Sequence, residues 1–60
     1  MGMAWLALDK ENVEIVCDYK PHRIEDTWDC YGNIVELPQG TIKKIIGRDL
    51  TWEDDPVEIK

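Results

Sequence analysis

An alternation of apolar and polar side chains along residues 13–20 limits the possible folds of this chain more than any other feature. In an extended chain every second residue falls on the same side, so one side carries Val13, Ile15, Cys17 and Tyr19. A repeat of two is the period of a β-strand with one buried face. The pattern predicts a strand over 13–20, paired in a hairpin with a first strand over 4–8. The turn falls at 9–12, where Asp9 and Asn12 suit the backbone of a turn.

Two further strands are predicted in the middle of the chain. Pro21 ends the second strand, because proline has no backbone N–H to donate to a strand ladder. Residues 27–31 and 34–37 are extended segments on either side of Gly32 and Asn33. Because these two residue types accept the positive φ values of tight turns, we expect the two segments to form a second hairpin.

One segment, residues 41–46, is a helical candidate. Its apolar face at helical spacing would carry Ile42, Ile45 and Ile46. Thr41 is the expected N-cap and Gly47 the residue that ends the helix, while Lys43 and Lys44 are expected to point to solvent. A helix of about two turns does not form alone in water, so it must dock on the sheet.

The last predicted strand covers 57–59 and follows Pro56, which suits the edge of a sheet because an N–H there need not be paired. Together the elements predict a β-rich α+β fold. It consists of a small antiparallel sheet of four to five short strands with one short helix. With 60 residues there is room for one core, so a single domain over 1–60 is expected.

Size and charge set limits on the partners of the chain. A core of this size rarely contributes more than about 3–5 kcal/mol, and small domains often gain stability from partner subunits. A homo-oligomer is therefore expected. The net charge of −6 argues against binding of DNA or RNA polymers, because phosphate contacts need clustered Lys and Arg.

The residue types argue against an enzyme, a metal site or a cofactor. Serine is absent, and His22 is the one histidine, so the remaining nucleophile pairings are His22 with Cys17 or Cys30. The same three residues give too few ligands for a structural zinc site, which takes four. Solvent-exposed His22 and two buried thiols are the simpler expectation.

Hydrophobic segments are short throughout the chain. No run approaches the roughly 18 apolar residues of a membrane span. The apolar start over 1–8 is too short for a secretion signal with its cleavage site. We therefore expect no membrane association and a location in the cytoplasm, where Cys17 and Cys30 would stay reduced.

The candidate site combines basic and aromatic residues. Rings that stack on a base and cationic groups that hold phosphate are the usual elements of a nucleotide site. Lys20 and Arg23 form one basic group, and Trp28 and Tyr31 lie close to Arg23 in sequence. The alternative is that these charged side chains lie over tryptophans of the core, with their charged ends in water. Of the three tryptophans, Trp28 is the one favoured for function.

Four segments carry a resemblance to a group of short phage and prophage proteins. The matching segments are WLALDK at 5–10, KPHR at 20–23, Trp28, and LTWEDDPVEI at 50–59. Small phage proteins of this kind resemble viral nucleotide sponges, which are oligomers that sequester cyclic oligonucleotide or ADP-ribose-type immune signals in the host cell cytoplasm. The resemblance implies a site with Lys20 and Arg23 on phosphate and Trp28 on a base, and with Trp5 as a further candidate.

Two functions follow as hypotheses. The first is a non-enzymatic phage-type counter-defence protein that sequesters a nucleotide immune signal in an oligomer. Its ligand-binding residues would be Lys20, Arg23, Trp28, Tyr31 and Trp5. The alternative is an acidic protein–protein inhibitor of a host defence protein or nuclease, which the net charge of −6 favours.

Overall fold

A computed structural model describes residues 4–59 of the chain. Its elements in chain order are β1 (Ala4–Leu8), β2 (Glu14–Cys17), β3 (His22–Ile24), β4 (Thr27–Asp29), β5 (Ile34–Leu37), α1 (Thr41–Ile46) and β6 (Val57–Ile59). Four strands form an antiparallel sheet in the order β5-β2-β1-β6, and β3 pairs with β4 in a second, two-stranded sheet. The predicted fold class, mainly β with one short helix, is confirmed.

The first hairpin forms as the alternation predicts, with a shorter second strand. Asp9 holds the turn, because its Oδ1 accepts hydrogen bonds from the N–H groups of Glu11 (2.8 Å) and Val13 (2.9 Å). Asn12 takes the left-handed conformation at a φ of 72°, which asparagine tolerates better than most residues. These contacts set the register in which Leu8 lies opposite Glu14.

The expectation of one buried face on β2 is wrong, because both faces of the sheet are covered. A helix-side core contains Leu6, Leu8, Ile42 and Leu50. A hairpin-side core contains Ala7, Ile15, Cys17 and Trp28. The sheet is therefore a middle layer between α1 and the β3–β4 hairpin, and its central strands contribute side chains to both cores.

The predicted second hairpin is also wrong. β4 pairs with β3, so that Arg23 lies opposite Trp28, and β5 pairs with β2 instead. The chain returns to β2 through Gly32, which has a φ of 77°, and Asn33, whose N–H donates to Asp18 Oδ2 at 2.9 Å. A Cβ on Gly32 would lie 3.0 Å from that oxygen, so the turn needs glycine for space as well as conformation.

Helix α1 occupies the predicted residues, but its N-terminus is capped differently. Gly40 is the N-cap, and the Thr41 hydroxyl donates to the Pro38 carbonyl instead of capping the helix. The cap comes from the sheet: the buried carboxylate of Glu14 accepts hydrogen bonds from the N–H groups of Gly40 (2.7 Å) and Ile42 (2.8 Å). This bond pair explains how a charged residue on β2 can lie in the interior, since a buried carboxylate needs partners of this kind.

The other end of α1 and the last strand match their predictions, but the predicted apolar face of α1 is wrong at Ile45. Gly47 has a φ of 83° and donates its N–H to the Lys43 carbonyl, as expected of a glycine that ends a helix. Lys43 and Lys44 are exposed. Of the three predicted face residues, Ile42 is buried and Ile46 half-buried, while Ile45 is 48% exposed. β6 lies at a sheet edge, as predicted.

Candidate functional site

The five predicted ligand-binding residues lie in two separate arrangements and one loop. Arg23 and Trp28 face each other across the β3–β4 hairpin. Lys20 lies over Trp5 at the start of β1. Tyr31 is on the loop between β4 and β5 and is 68% exposed. The two aromatic–cation pairs differ in how much of each is accessible.

Arg23 lies against two neighbouring tryptophan rings. Its guanidinium carbon is 4.5 Å from the ring centroid of Trp28 and 4.9 Å from that of Trp52. The two rings meet edge to face, with centroids 5.5 Å apart and planes at 68°. Such a geometry allows cation–π attraction to both rings and a favourable aromatic pair. We call Arg23, Trp28 and Trp52 the arginine cluster.

The guanidinium of Arg23 is also engaged in hydrogen bonds. Its Nη2 donates to the carbonyl of Trp52 at 2.7 Å and to the carbonyl of Asp54 at 3.1 Å. These bonds join the hairpin to the turn at 51–54, where Asp54 Oδ2 accepts from the Thr51 N–H. Arg23 thus holds two parts of the chain together, as in the alternative in which a charged side chain covers core tryptophans.

Trp28 belongs to the hairpin-side core. It is 8% exposed, and its indole Nε1–H donates to the Leu8 carbonyl on β1 at 2.8 Å. Arg23 covers a face of the Trp28 ring. A base could stack on Trp28 only after Arg23 left the ring. The sequence contains a signal for this burial: Trp28 lies between the polar residues Thr27 and Asp29, and in a strand this alternation puts it on the opposite face from both. In the structure Thr27 and Asp29 are exposed and Trp28 is buried.

The Trp5–Lys20 pair is more open. Lys20 Nζ lies 5.7 Å from the ring centroid of half-buried Trp5, and Lys20 itself is exposed. Within residues 4–59 the ion pairs are Lys10 with Asp26 and Arg48 with Asp54, so Lys20 has no carboxylate partner there. Its ammonium group is therefore available to an anion near an aromatic ring.

A glutamate lies opposite Trp5 in the sheet. Trp5 is opposite Glu58 of β6 and Cys17 of β2 in the register of the sheet, and residues directly opposite one another share a face. Glu58 is exposed. The Trp5 position thus combines a cation over the ring with an exposed hydrogen-bond acceptor on the neighbouring strand.

Two cavities lie elsewhere and are acidic. One, of about 310 Å³, is lined in part by Glu14, Gln39 and Asp49. The other, of about 530 Å³, is lined by Asp9, Lys10, Glu11, Asp26 and Thr27. Among the described residues, those lining the first cavity include two carboxylates and no cation, and those lining the second include three carboxylates with one lysine that is paired with Asp26. Both cavities therefore suit a phosphate less well than the Trp5–Lys20 pair, where one exposed glutamate, Glu58, accompanies a lysine that has no carboxylate partner within residues 4–59. Sequence reasoning missed the structural role of Glu14, which no local pattern signals.

Cys17 and Cys30 are brought together by the fold. Cys17 is buried, Cys30 is half-buried, and their Sγ atoms are 2.8 Å apart. Burial, together with the hydrogen bond and charge of Cys30, raises the pKa of the Cys17 thiol from 9.0 to about 12. A thiol held neutral in this way is a poor nucleophile at neutral pH.

Across residues 4–59, no group of three His, Cys, Asp or Glu side chains is arranged to hold a metal ion. The helix of that same part of the chain is neither long nor apolar enough to cross a membrane.

Comparison with known proteins gave no match: no protein-family model, curated protein or solved structure resembles this chain significantly.

Proposed function

We propose that this protein is a non-enzymatic binding protein that takes up a nucleotide-type small molecule at the Trp5–Lys20 pair. The observation that carries the proposal is the exposed ammonium of Lys20 over the half-buried ring of Trp5, 5.7 Å from its centroid. A planar base entering between them would stack on the indole, and Lys20 would move outward to the phosphate. Stacking of this kind is worth about 1–3 kcal/mol per base.

The arginine cluster is a less suitable site, because Arg23 is already held by contacts within the protein. A ligand phosphate that recruited Arg23 would have to replace two backbone hydrogen bonds and two ring contacts. Lys20 gives up a single ring contact. The energetic cost of opening is therefore lower at Trp5–Lys20, and Arg23 and Trp28 act as the scaffold behind it.

The biological role proposed is that of a phage-type counter-defence protein that sequesters a nucleotide immune signal. This role rests on the resemblance of segments 5–10 and 20–23, which contain Trp5 and Lys20. A sponge needs tight binding and no turnover, so it requires a stacking ring and a phosphate contact but no nucleophile. Neither cyclic oligonucleotides nor ADP-ribose-type signals are preferred by the contacts at this pair.

The homo-oligomer is proposed to form through β5. This strand lies at one end of the four-stranded sheet, and its Ile34 and Val35 are 51% and 54% exposed. In an antiparallel pairing of two β5 strands centred on Val35, each Ile34 would lie opposite Glu36 of the partner subunit. That register keeps like charges apart and satisfies edge groups that would otherwise be a template for aggregation.

Isothermal titration calorimetry against cyclic dinucleotides and cyclic ADP-ribose isomers tests the site. Wild-type protein should bind at least one of them, and Lys20→Ala should weaken that binding at least about tenfold, because a charge-assisted hydrogen bond is worth about 1.5–3 kcal/mol. Lys43→Ala, which removes an exposed lysine from α1, is the matched control and should bind like wild type. Binding that survives unchanged in Lys20→Ala would contradict the site, and no binding of any compound would contradict the function.

Sedimentation velocity with the variant Val35→Lys tests the oligomer separately. A charge at the centre of the proposed β5 pairing should give monomers where wild type gives dimers or larger species. A wild-type protein that is monomeric at 100-fold dilution and at high concentration alike would contradict the pairing without touching the nucleotide site.

A second candidate, an acidic inhibitor of a host protein, is favoured by the distribution of carboxylates. Asp9, Glu11 and Asp26 line the same cavity, and Lys10 is paired there with Asp26. A basic partner surface would fit this region by charge. Glu11→Lys should then reduce capture of a stoichiometric partner from host lysate while leaving nucleotide binding intact, and unchanged capture would exclude this surface.

A further inference from the structure

The two cysteines of the chain meet where the hairpin packs on the four-stranded sheet. Cys17 ends β2 in the four-stranded sheet, and Cys30 directly follows β4 of the hairpin. Their Sγ atoms are 2.8 Å apart, which is within about 1 Å of the 2.05 Å length of a disulfide bond. Thirteen positions separate them in sequence, so their approach is produced by the packing of the hairpin on the sheet.

The contacts around the two cysteines attach the β3–β4 hairpin to the rest of the fold. Trp28, two residues before Cys30, packs in the same hairpin-side core as Cys17 and bonds to the Leu8 carbonyl. Arg23 attaches the other strand of the hairpin to the turn at 51–54. These two attachments are non-covalent. A bond between the sulfurs would add a third, covalent attachment of the hairpin.

We propose that Cys17 and Cys30 are a reversible disulfide site, which is oxidised by small-molecule disulfides such as glutathione disulfide and which then fastens the β3–β4 hairpin covalently to the main sheet. Cys17 lies opposite Trp5 in the sheet, so this site adjoins the Trp5–Lys20 pair, but formation of the bond does not depend on ligand binding. In a reducing cytoplasm the thiols stay free, and a shift toward oxidising conditions closes the bond.

Accessibility sets the order of the reaction. Cys30 is half-buried, whereas Cys17 is 1% exposed. The Cys30 thiolate attacks one sulfur of glutathione disulfide, forms a mixed disulfide and releases one glutathione thiolate. Burial still raises the pKa of Cys17 and disfavours its thiolate, while the mixed disulfide removes the hydrogen bond and charge of Cys30 that help to raise this pKa, so the second step is the slower one. In that step Cys17 loses its proton and attacks Cys30 Sγ, which forms the Cys17–Cys30 bond and releases the second glutathione thiolate. Two electrons pass to the glutathione disulfide, and the two thiol protons end on the two glutathione molecules.

The bond would act mainly on the unfolded chain. Closing a loop of about this length removes enough freedom from the unfolded state to stabilise a protein by the equivalent of a roughly 100-fold smaller unfolding constant. The oxidised protein should therefore unfold at a higher urea concentration than the reduced protein. A bond that strained the native structure would give less than this.

Glutathione buffers with an increasing oxidised share test the proposal, with intact mass and urea unfolding as readouts. Wild type should lose the mass of two hydrogen atoms, retain no glutathione, and show the roughly 100-fold fall in its unfolding constant. Cys17→Ser should keep one glutathione on Cys30, since the second step is blocked. Cys30→Ser, a change at a half-buried site, should show neither a mass change nor a shift.

Four results would overturn the proposal. Wild type could keep both thiols in the most oxidising buffer, it could accumulate stable glutathione adducts, or it could form disulfides between chains. A urea midpoint that rises equally in oxidised wild type and in Cys30→Ser would also count against it, because the shift would then be unrelated to the bond.

Discussion

Replacement of Arg23 by alanine should cost this protein about half of its stability or more. Arg23→Ala removes two hydrogen bonds, to the carbonyls of Trp52 and Asp54, and two ring contacts at 4.5 and 4.9 Å. Arg23 is exposed, so each bond is worth at most about 1 kcal/mol and each cation–π contact about 0.5–1 kcal/mol. Because such contacts are not fully additive, we expect a loss of about 2–3 kcal/mol, against a total of about 3–5 kcal/mol.

Urea unfolding followed by tryptophan fluorescence measures this loss, with linear extrapolation to zero urea. Arg23→Lys keeps the charge but not the planar fork of donors, so it should lose about half as much. Arg48→Ala is the control: it removes an exposed arginine whose closest carboxylate contact, to Asp54, is 4.0 Å long. Such a surface pair contributes about 0–1 kcal/mol.

The reasoning would be refuted if Arg23→Ala and Arg48→Ala lost the same small amount, below about 0.5 kcal/mol. Arg23 would then not join the hairpin to the turn at 51–54. Its guanidinium would be free to serve a ligand, as the sequence alone suggests.

Three further outcomes are expected. Glu14→Ala should destabilise the fold by about 2 kcal/mol in urea unfolding, because two N–H groups at the start of α1 lose their acceptor, and Glu14→Gln should lose less since it keeps one amide oxygen; equal losses would contradict the capping role. Trp28→Phe should lower stability by about 1–3 kcal/mol because it leaves the Leu8 carbonyl without its donor, and a thermal midpoint equal to that of wild type would contradict this. Reduced wild type should lose stability relative to Cys17→Ala between pH 9 and 12. The pKa of the Cys17 thiol is about 12 in the native state and 9.0 in the unfolded chain. In this range the native state therefore binds more protons than the unfolded state, so rising pH favours unfolding. Parallel pH profiles of the two proteins would contradict it.

Local signals were enough to predict about half of the fold. The β1–β2 hairpin follows from an alternation of side chains and a turn built on Asp9, and α1 ends at the glycine that the sequence indicates. β6 lies at an edge, as its preceding proline suggests. Each of these elements is decided by residues within a few positions of one another.

Pairings between distant residues could not be predicted in the same way. Gly32 and Asn33 do make a turn, but their turn leads β5 to β2 because Asp18 accepts from Asn33, a bond between segments 15 residues apart. Glu14 has the pattern of a solvent-facing residue, and its partners at Gly40 and Ile42 exist only once the helix has docked. No local pattern of residues indicates a contact of this kind.

The candidate site shows the same division. A basic residue near an aromatic ring is visible in sequence at Lys20 and at Arg23, but which pair stays accessible depends on packing. Trp28, the ring favoured for function, lies in the hairpin-side core, whereas Trp5 carries a cation that has no carboxylate partner within residues 4–59. That Trp28 stacks a base remains a prediction. Stacking there would cost the free energy of the Arg23 contacts that a base would have to displace.

The indole N–H signals of the three tryptophans in a ¹H–¹⁵N NMR spectrum test the central claim most directly. The claim is that Trp28 is part of the scaffold and that Trp5 meets the ligand. The Trp28 signal should exchange slowly with solvent, because its N–H donates to the Leu8 carbonyl at 2.8 Å, and it should stay in place when a bound cyclic nucleotide is added. The Trp5 signal should shift in proportion to occupancy. A titration that moves the Trp28 signal and leaves the Trp5 signal unchanged would contradict the account.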